Sequence, residues 1–123
     1  MRLSKKILIV DDEEDYLSLL KDALEIRGFE VVTAASAVEA GMALASKLPV
    51  LILMDIKMPG INGFQACEAI KRNPQTRDIP IIIVSGLSGE AEMKKAAKVG
   101  IADYFVKPVD IEKLIAKIKE ILQ

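Results

Sequence analysis

Two observations predict an α/β fold with a five-stranded parallel sheet covered by helices on both faces. Five short runs rich in Ile and Val, at 7–10, 31–33, 50–54, 81–84 and 104–106, do not alternate with polar residues. Such runs suit strands buried on two sides. Each run is followed by a segment of helical periodicity, giving the order βαβαβαβαβα. Right-handed crossovers then distribute the helices over both faces.

The elements follow in order. The run 7–10 ends at Asp11. The helix over 15–27 places Leu17, Leu20 and Leu24 on one face and is stopped by Gly28. The run 31–33 is followed by Ala34 and Ala35. Ser36 and Glu39 open the helix over 36–47 with capping-box spacing. The run 50–54 ends at Asp55, and Pro59-Gly60 and Asn62-Gly63 read as turn dipeptides. Asn62 and Gln65 make a similar start for a third helix reaching Arg72, with Pro74 just beyond. The run 81–84 leads into Ser85 and Gly86, and a helix over 89–99 is closed by Gly100. The run 104–106 leads into Lys107 and Pro108. Asp110 caps a fifth helix with Ile111, Leu114, Ile115, Ile118, Ile121 and Leu122 in one apolar stripe.

The chain of 123 residues has the size of one domain and can bury a core without disulfides or structural metal. It reads as a single domain over 1–123, with no output domain after the fifth helix. A net charge of -1 gives no general pull toward nucleic acid or an anionic membrane. The single cysteine, Cys67, shares helical spacing with Phe64 and Ile70 and is read as a core filler. With no His, the chain alone cannot build Ser-His-Asp, Cys-His or His-based zinc sites. The start is short and polar, unlike a signal peptide. The longest apolar run is too short to cross a bilayer. A soluble cytoplasmic protein is expected, without membrane insertion or direct nucleic-acid binding.

In open parallel sheets, ligands bind beyond the carboxyl ends of the strands, where the strand order reverses. Those ends carry Asp11 and Asp12, then Asp55, Ser85 and Lys107. A strand order of 2-1-3-4-5 brings the three aspartates together. Clustered carboxylates repel one another unless a cation sits among them, and an all-oxygen site suits Mg²⁺. Phosphoryl transfer needs mainly positioning and electrostatic stabilisation, which such a set supplies. Asp55 stands alone at the central strand end and is the best nucleophile. Asp11 and Asp12 are better placed to hold metal. Plainer readings exist for each residue. Asp11 and Asp12 suit a helix start, Ser85 suits a loop, Tyr104 suits a strand, and Lys94, Lys95 and Lys98 suit a solvated helix face.

At these positions the chain closely resembles the receiver domain of bacterial two-component response regulators, of the stand-alone single-domain type. The matching segments are Ile-Leu-Ile-Val-Asp-Asp-Glu (7–13), Leu-Ile-Leu-Met-Asp-Ile-Lys-Met-Pro-Gly-Ile-Asn-Gly (51–63), Ile-Ile-Ile-Val-Ser-Gly (81–86) and Ala-Asp-Tyr-Phe-Val-Lys-Pro (102–108). The resemblance implies a (βα)5 flavodoxin-like doubly wound sandwich. It implies phosphorylation of Asp55 by a histidine kinase or histidine phosphotransfer protein. It also implies Mg²⁺ on Asp12, Asp55 and the backbone carbonyl of Lys57, with Asp11 acting through a water. Lys107, Ser85 and Gly86 would meet the phosphoryl group, Tyr104 would swing inward when Ser85 moves, and the Lys107–Pro108 bond would be cis. A downstream protein would read the face of helix four, strand five and helix five, and homodimerisation is open to such a domain. Ser85 replaces the commoner Thr, and Lys57 sits where the family varies widely.

Two rivals stand beside this reading. A phosphatase of the haloacid-dehalogenase type would use Asp55 as nucleophile, but such enzymes typically carry a second Asp where Lys57 stands. A phosphorylation-independent dimerisation or scaffold module would leave the intact acidic set unused. No turnover on an outside substrate is expected. There is no Walker-type Gly-rich loop and no G-x-G-x-x-G.

Overall fold

The computed structural model describes residues 5–58 and 61–123. The elements are β1 (Lys6–Val10), α1 (Glu14–Ile26), β2 (Glu30–Ala34), α2 (Ala37–Ser46), β3 (Leu51–Met54), β4 (Lys57–Met58), β5 (Ile61–Asn62), α3 (Gly63–Arg72), β6 (Ile81–Ser85), α4 (Glu90–Val99), β7 (Asp103–Val106) and α5 (Ile111–Leu122).

The main sheet is parallel, in the order β2-β1-β3-β6-β7. Counting its own strands alone, that is the expected 2-1-3-4-5. The chain numbering differs because β4 and β5 form an extra two-stranded antiparallel hairpin, pairing Lys57 with Asn62. This hairpin was not expected. The anticipated turn at Pro59-Gly60 and the first four residues lie outside the described residues.

The sheet separates two apolar layers. Ile7, Ile9, Leu51, Leu53, Ile82 and Val84 meet α1 and α5 through Leu17, Leu20, Leu24, Leu114, Ile115 and Ile118. Leu8, Val10, Ile52, Met54 and Ile81 face α2 and α3 through Ala40, Cys67 and Ile70. The period-2 alternation of a strand sends neighbouring residues to opposite layers, so β1, β3 and β6 are buried at every position and apolar at all but Lys6 and Ser85. The two outer strands depart from that expectation. Glu30 and Thr33 of β2 and Val106 of β7 are exposed, and among the described residues each outer strand has a partner on one side only.

Local signals set the helix ends. Gly28 adopts φ 89°, Gly28 N–H donates to Glu25 O, and Phe29 N–H donates to Leu24 O. That left-handed turn closes α1. Ser36 Oγ accepts from Glu39 N–H at 3.2 Å, while Glu39 Oε1 accepts from Ala35 N–H at 3.1 Å. The reciprocal bond thus lands one residue before the cap. Asn62 Oδ1 accepts from Phe64 N–H and Asp110 Oδ1 from Lys113 N–H, which fixes the starts of α3 and α5.

Cys67 is fully buried, and burial pushes its thiol up to about 12 from the ordinary 9.0. Folded protein at pH 8 is therefore expected to resist a thiol reagent such as Ellman's and to react once unfolded. The thiol also contributes stability that is fully present below about pH 9 and lost as pH rises toward 12, since only the unfolded chain gives up its proton in that window. The slope is roughly 1.4 kcal/mol per pH unit. Cys67→Ala should lose that component of alkaline unfolding, measured by urea titration at stepped pH. An unchanged slope would count against a protonated buried thiol.

Candidate functional site

The carboxyl edge of the sheet brings four chain segments together. Asp55 N–H donates to Val10 O at 2.9 Å, which sets the end of β3 beside the end of β1. Lys107 N–H donates to Ser85 O at 2.8 Å, which carries the end of β7 alongside β6. The side chains then converge. Lys107 Nζ donates to Asp11 Oδ2 at 2.7 Å, to Glu13 Oε1 at 2.8 Å and to Asp55 Oδ2 at 3.1 Å. The second oxygens are held by backbone: Asp11 Oδ1 accepts from Glu13 N–H at 2.9 Å and Asp55 Oδ1 from Lys57 N–H at 3.0 Å.

Sequence reasoning missed Glu13 as a partner of Lys107. Its place in the acidic run Asp-Asp-Glu-Glu-Asp suggested only a helix start. The side chain of Glu13 is 61% exposed, against 2% for Asp11 and 4% for Asp55, so it is the solvated member of the set. Tyr16 was also missed. Its ring centroid lies 4.4 Å from Lys107 Nζ, and its hydroxyl accepts from Val109 N–H at 2.9 Å. An aromatic one residue before the Leu17 stripe, on the turn that follows the acids, was the available signal.

The electrostatics follow from burial. Loss of solvent raises the Asp11 carboxyl above its ordinary value, and the neighbouring Asp55 charge adds to this, against the lowering by Lys107 and Glu13 N–H. Burial works against the Lys107 ammonium, but its bonds to Asp11, Glu13 and Asp55 outweigh that and hold its pKa above the usual lysine range. Lys107 is therefore charged at neutral pH.

The remaining expected residues surround this centre. Ser85 is fully buried, and its Oγ accepts from Leu87 N–H at 3.3 Å. Gly86 follows it and is exposed, with open space where a Cβ would stand. Tyr104 is half-buried and its hydroxyl donates to Leu87 O, so phenol and serine contact the same loop residue. Burial raises the Tyr104 phenol above its ordinary value, Glu92 and Asp55 add to that, and Ser85 opposes it. Lys57 is exposed and Lys107–Pro108 is a cis peptide. Lys94, Lys95 and Lys98 are exposed on α4, as a solvated face requires.

Gly63 is placed differently from the turn expected of it. It is the first residue of α3, its N–H donates to Ile56 O at 3.0 Å, and a Cβ there would stand 2.3 Å from Ile56 Cα and 2.8 Å from Asp55 O. The helix start is thus pressed against the backbone that carries Asp55, and only glycine fits that approach.

Asp11, Asp12 and Asp55 each offer one carboxylate oxygen within 4.8 Å of the others. Hard oxygen ligands in that grouping fit a Mg²⁺ ion, which takes one or two carboxylates and keeps several waters.

The profile of the family described as "Response regulator receiver domain" matches residues 7–119. The chain belongs to the response-regulator receiver family. It is 36% identical over 118 residues to the phosphate regulon transcriptional regulatory protein PhoB of Rhizobium meliloti, covering 96% of this chain and 52% of that protein. It is 35% identical over 119 residues to the response regulator PleD of Caulobacter vibrioides, covering 97% of this chain and 26% of that one. A two-component response regulator from Clostridium difficile shares the fold with a TM-score of 0.91 and 31% identity, over 97% of this chain and 96% of that one. The receiver chain therefore spans about half the length of PhoB and a quarter of PleD. Receiver domains are signalling components of two-component systems. Among the described residues of this one, no helix is long and apolar enough to cross a membrane.

Proposed function

We propose that this receiver domain is a phosphorylation-controlled switch that accepts a phosphoryl group on Asp55. The observation that carries the proposal is the Lys107 ammonium bridging buried Asp11 and Asp55, with Asp12 completing a compact oxygen cluster. A partner histidine kinase or histidine phosphotransfer protein supplies the phosphoryl group, because the chain has no His of its own. An Oδ atom of Asp55 forms a P–O bond as the bond from phosphorus to the donor imidazole nitrogen breaks, and the imidazole leaves with that electron pair. Asp12, Asp55 and the Lys57 carbonyl would hold Mg²⁺, with Asp11 acting through a water. When bound, the ion neutralises charge on the phosphoryl oxygens.

Lys107 transfers its hydrogen bond from the Asp55 carboxylate to a phosphoryl oxygen. The Ser85 hydroxyl and the backbone at Gly86 meet the same group. Drawing Ser85 toward Asp55 disturbs the Leu87 contacts it shares with Tyr104, and Tyr104 then moves inward. The face of α4, β7 and α5 changes shape, and a downstream protein or a second copy reads it. The whole span 1–123 works as one receiver unit in the cytoplasm, without direct nucleic-acid contact or membrane insertion. The chain transfers phosphate onto itself and hydrolyses it, without turnover on an outside substrate. Lys57, exposed at the position where the phosphatase rival needs a second Asp, supports that limit.

Incubation with acetyl phosphate and Mg²⁺ should add one phosphoryl group by intact-mass measurement, and Asp55→Asn should take up none. Uptake at this site by Asp55→Asn would refute the nucleophile assignment. Loss of uptake in excess EDTA should parallel the variant.

A further inference from the structure

Tyr16 is the third residue of α1 and touches the Lys107 segment twice. Its ring faces the ammonium at 4.4 Å from the centroid, and its hydroxyl accepts from Val109 N–H, two residues past Lys107. The ring also packs against the α1–α5 side of the core. An aliphatic residue would serve that packing equally, but it could neither accept the Val109 N–H nor attract a cation.

We propose that Tyr16 is a positioning residue for Lys107, fixing its backbone through Val109 and its tip through the ring. The inference rests on the reading of Asp55 as phosphoacceptor and Lys107 as its cation. A lysine tip is a point charge on a flexible four-carbon stem. Here three carboxylates compete for it, and exposed Glu13 draws it toward solvent while buried Asp11 and Asp55 draw it in. The ring attracts the ammonium whichever carboxylate is engaged. It therefore limits the loss of position when Lys107 moves from the Asp55 carboxylate to a phosphoryl oxygen. The bond to Val109 keeps the stem's origin in place during that shift.

The test compares the parent with Tyr16→Phe, which keeps the ring and removes the acceptor, and Tyr16→Leu, which removes both. With acetyl phosphate at saturating Mg²⁺, Tyr16→Leu is expected to slow phosphorylation about three- to tenfold, and Tyr16→Phe by less. Mg²⁺ affinity, titrated separately, should stay within about twofold of the parent, since the polar contacts of Tyr16 are to Lys107 and Val109. The ε-methylene protons of Lys107 should show an upfield ring-current shift in the parent and Tyr16→Phe and lose it in Tyr16→Leu. A merely structural role would not produce that pattern. If Tyr16→Leu does not fold, Tyr16→Phe carries the test, with the Lys107 ring-current shift retained and the rate below the parent's, because the ring remains and the acceptor for Val109 N–H is gone. Folded variants with parental rates and an unshifted Lys107 signal would overturn the proposal. A parent that takes up no phosphoryl group would instead overturn the reading of Asp55.

Discussion

Lys107→Met is expected to destabilise the metal-free protein by about 3 kcal/mol, the scale seen when one partner of a buried ion pair is removed. Met preserves length and apolar stem but leaves Asp11 and Asp55, 2% and 4% exposed, facing each other without a cation. Burial already raises the Asp11 carboxyl, and the neighbouring Asp55 charge pushes in the same direction. Two controls separate repulsion from lost packing. Asp55→Asn in the same chain should recover part of the loss, because it removes one of the opposing charges. Mg²⁺ should stabilise Lys107→Met more than the parent, because it replaces the missing positive charge. Urea unfolding with EDTA and with Mg²⁺ measures both. Under the proposed function, phosphorylation from acetyl phosphate should also slow by roughly 10²–10³, the cost of removing one donor that stabilises transition-state charge. A variant as stable as the parent in EDTA would show that the Lys107 bonds contribute nothing net.

Gly63→Ala is expected to cost about 1–3 kcal/mol or more, a large effect for a single methyl group. The added Cβ would stand 2.3 Å from Ile56 Cα, and both it and Asp55 O, at 2.8 Å, are backbone atoms that no rotamer change can clear. Either α3 must retreat or the segment between Asp55 and Lys57 must shift, and the second route moves Asp55 itself. The comparison is Gly41→Ala in α2, where a Cβ meets nothing within 4 Å. That change should be neutral or stabilising by roughly 0.5–1 kcal/mol through helix propensity. Thermal melts of the two variants should move in opposite directions. Equal shifts would mean that helix propensity, and not the close approach, governs position 63.

The residues at the sheet edge were legible because strand ends are easy to find in this chain. Each of Asp11, Asp55, Ser85 and Lys107 follows an uninterrupted apolar run, and the parallel order then decides which ends are neighbours. The fold was legible for the same reason, since β1, β3 and β6 are apolar apart from Lys6 and Ser85 at their ends. What was not legible depended on approach in three dimensions. Glu13 and Tyr16 read as ordinary residues of a helix start, and nothing in their spacing reveals a lysine 94 residues after Glu13. Asn62-Gly63 carried a turn signature, whereas Gly63 is glycine because another backbone passes against it. The β4–β5 hairpin has two residues per strand, too few for periodicity to register. The burial of β2 and β7 was overstated because apolar content alone does not tell an outer strand from an inner one.

The contact between Asp11 and Lys107 spans 96 positions of the chain. During synthesis, the ribosome would release the acidic side chains well before the lysine that neutralises them, at about 5–20 residues per second. Until Lys107 clears the exit tunnel, Asp11 and Asp55 lack the ammonium that bridges them in the folded chain. The Lys107 bridge to Asp11 and Asp55 can therefore form only after the sheet's other strands have been made.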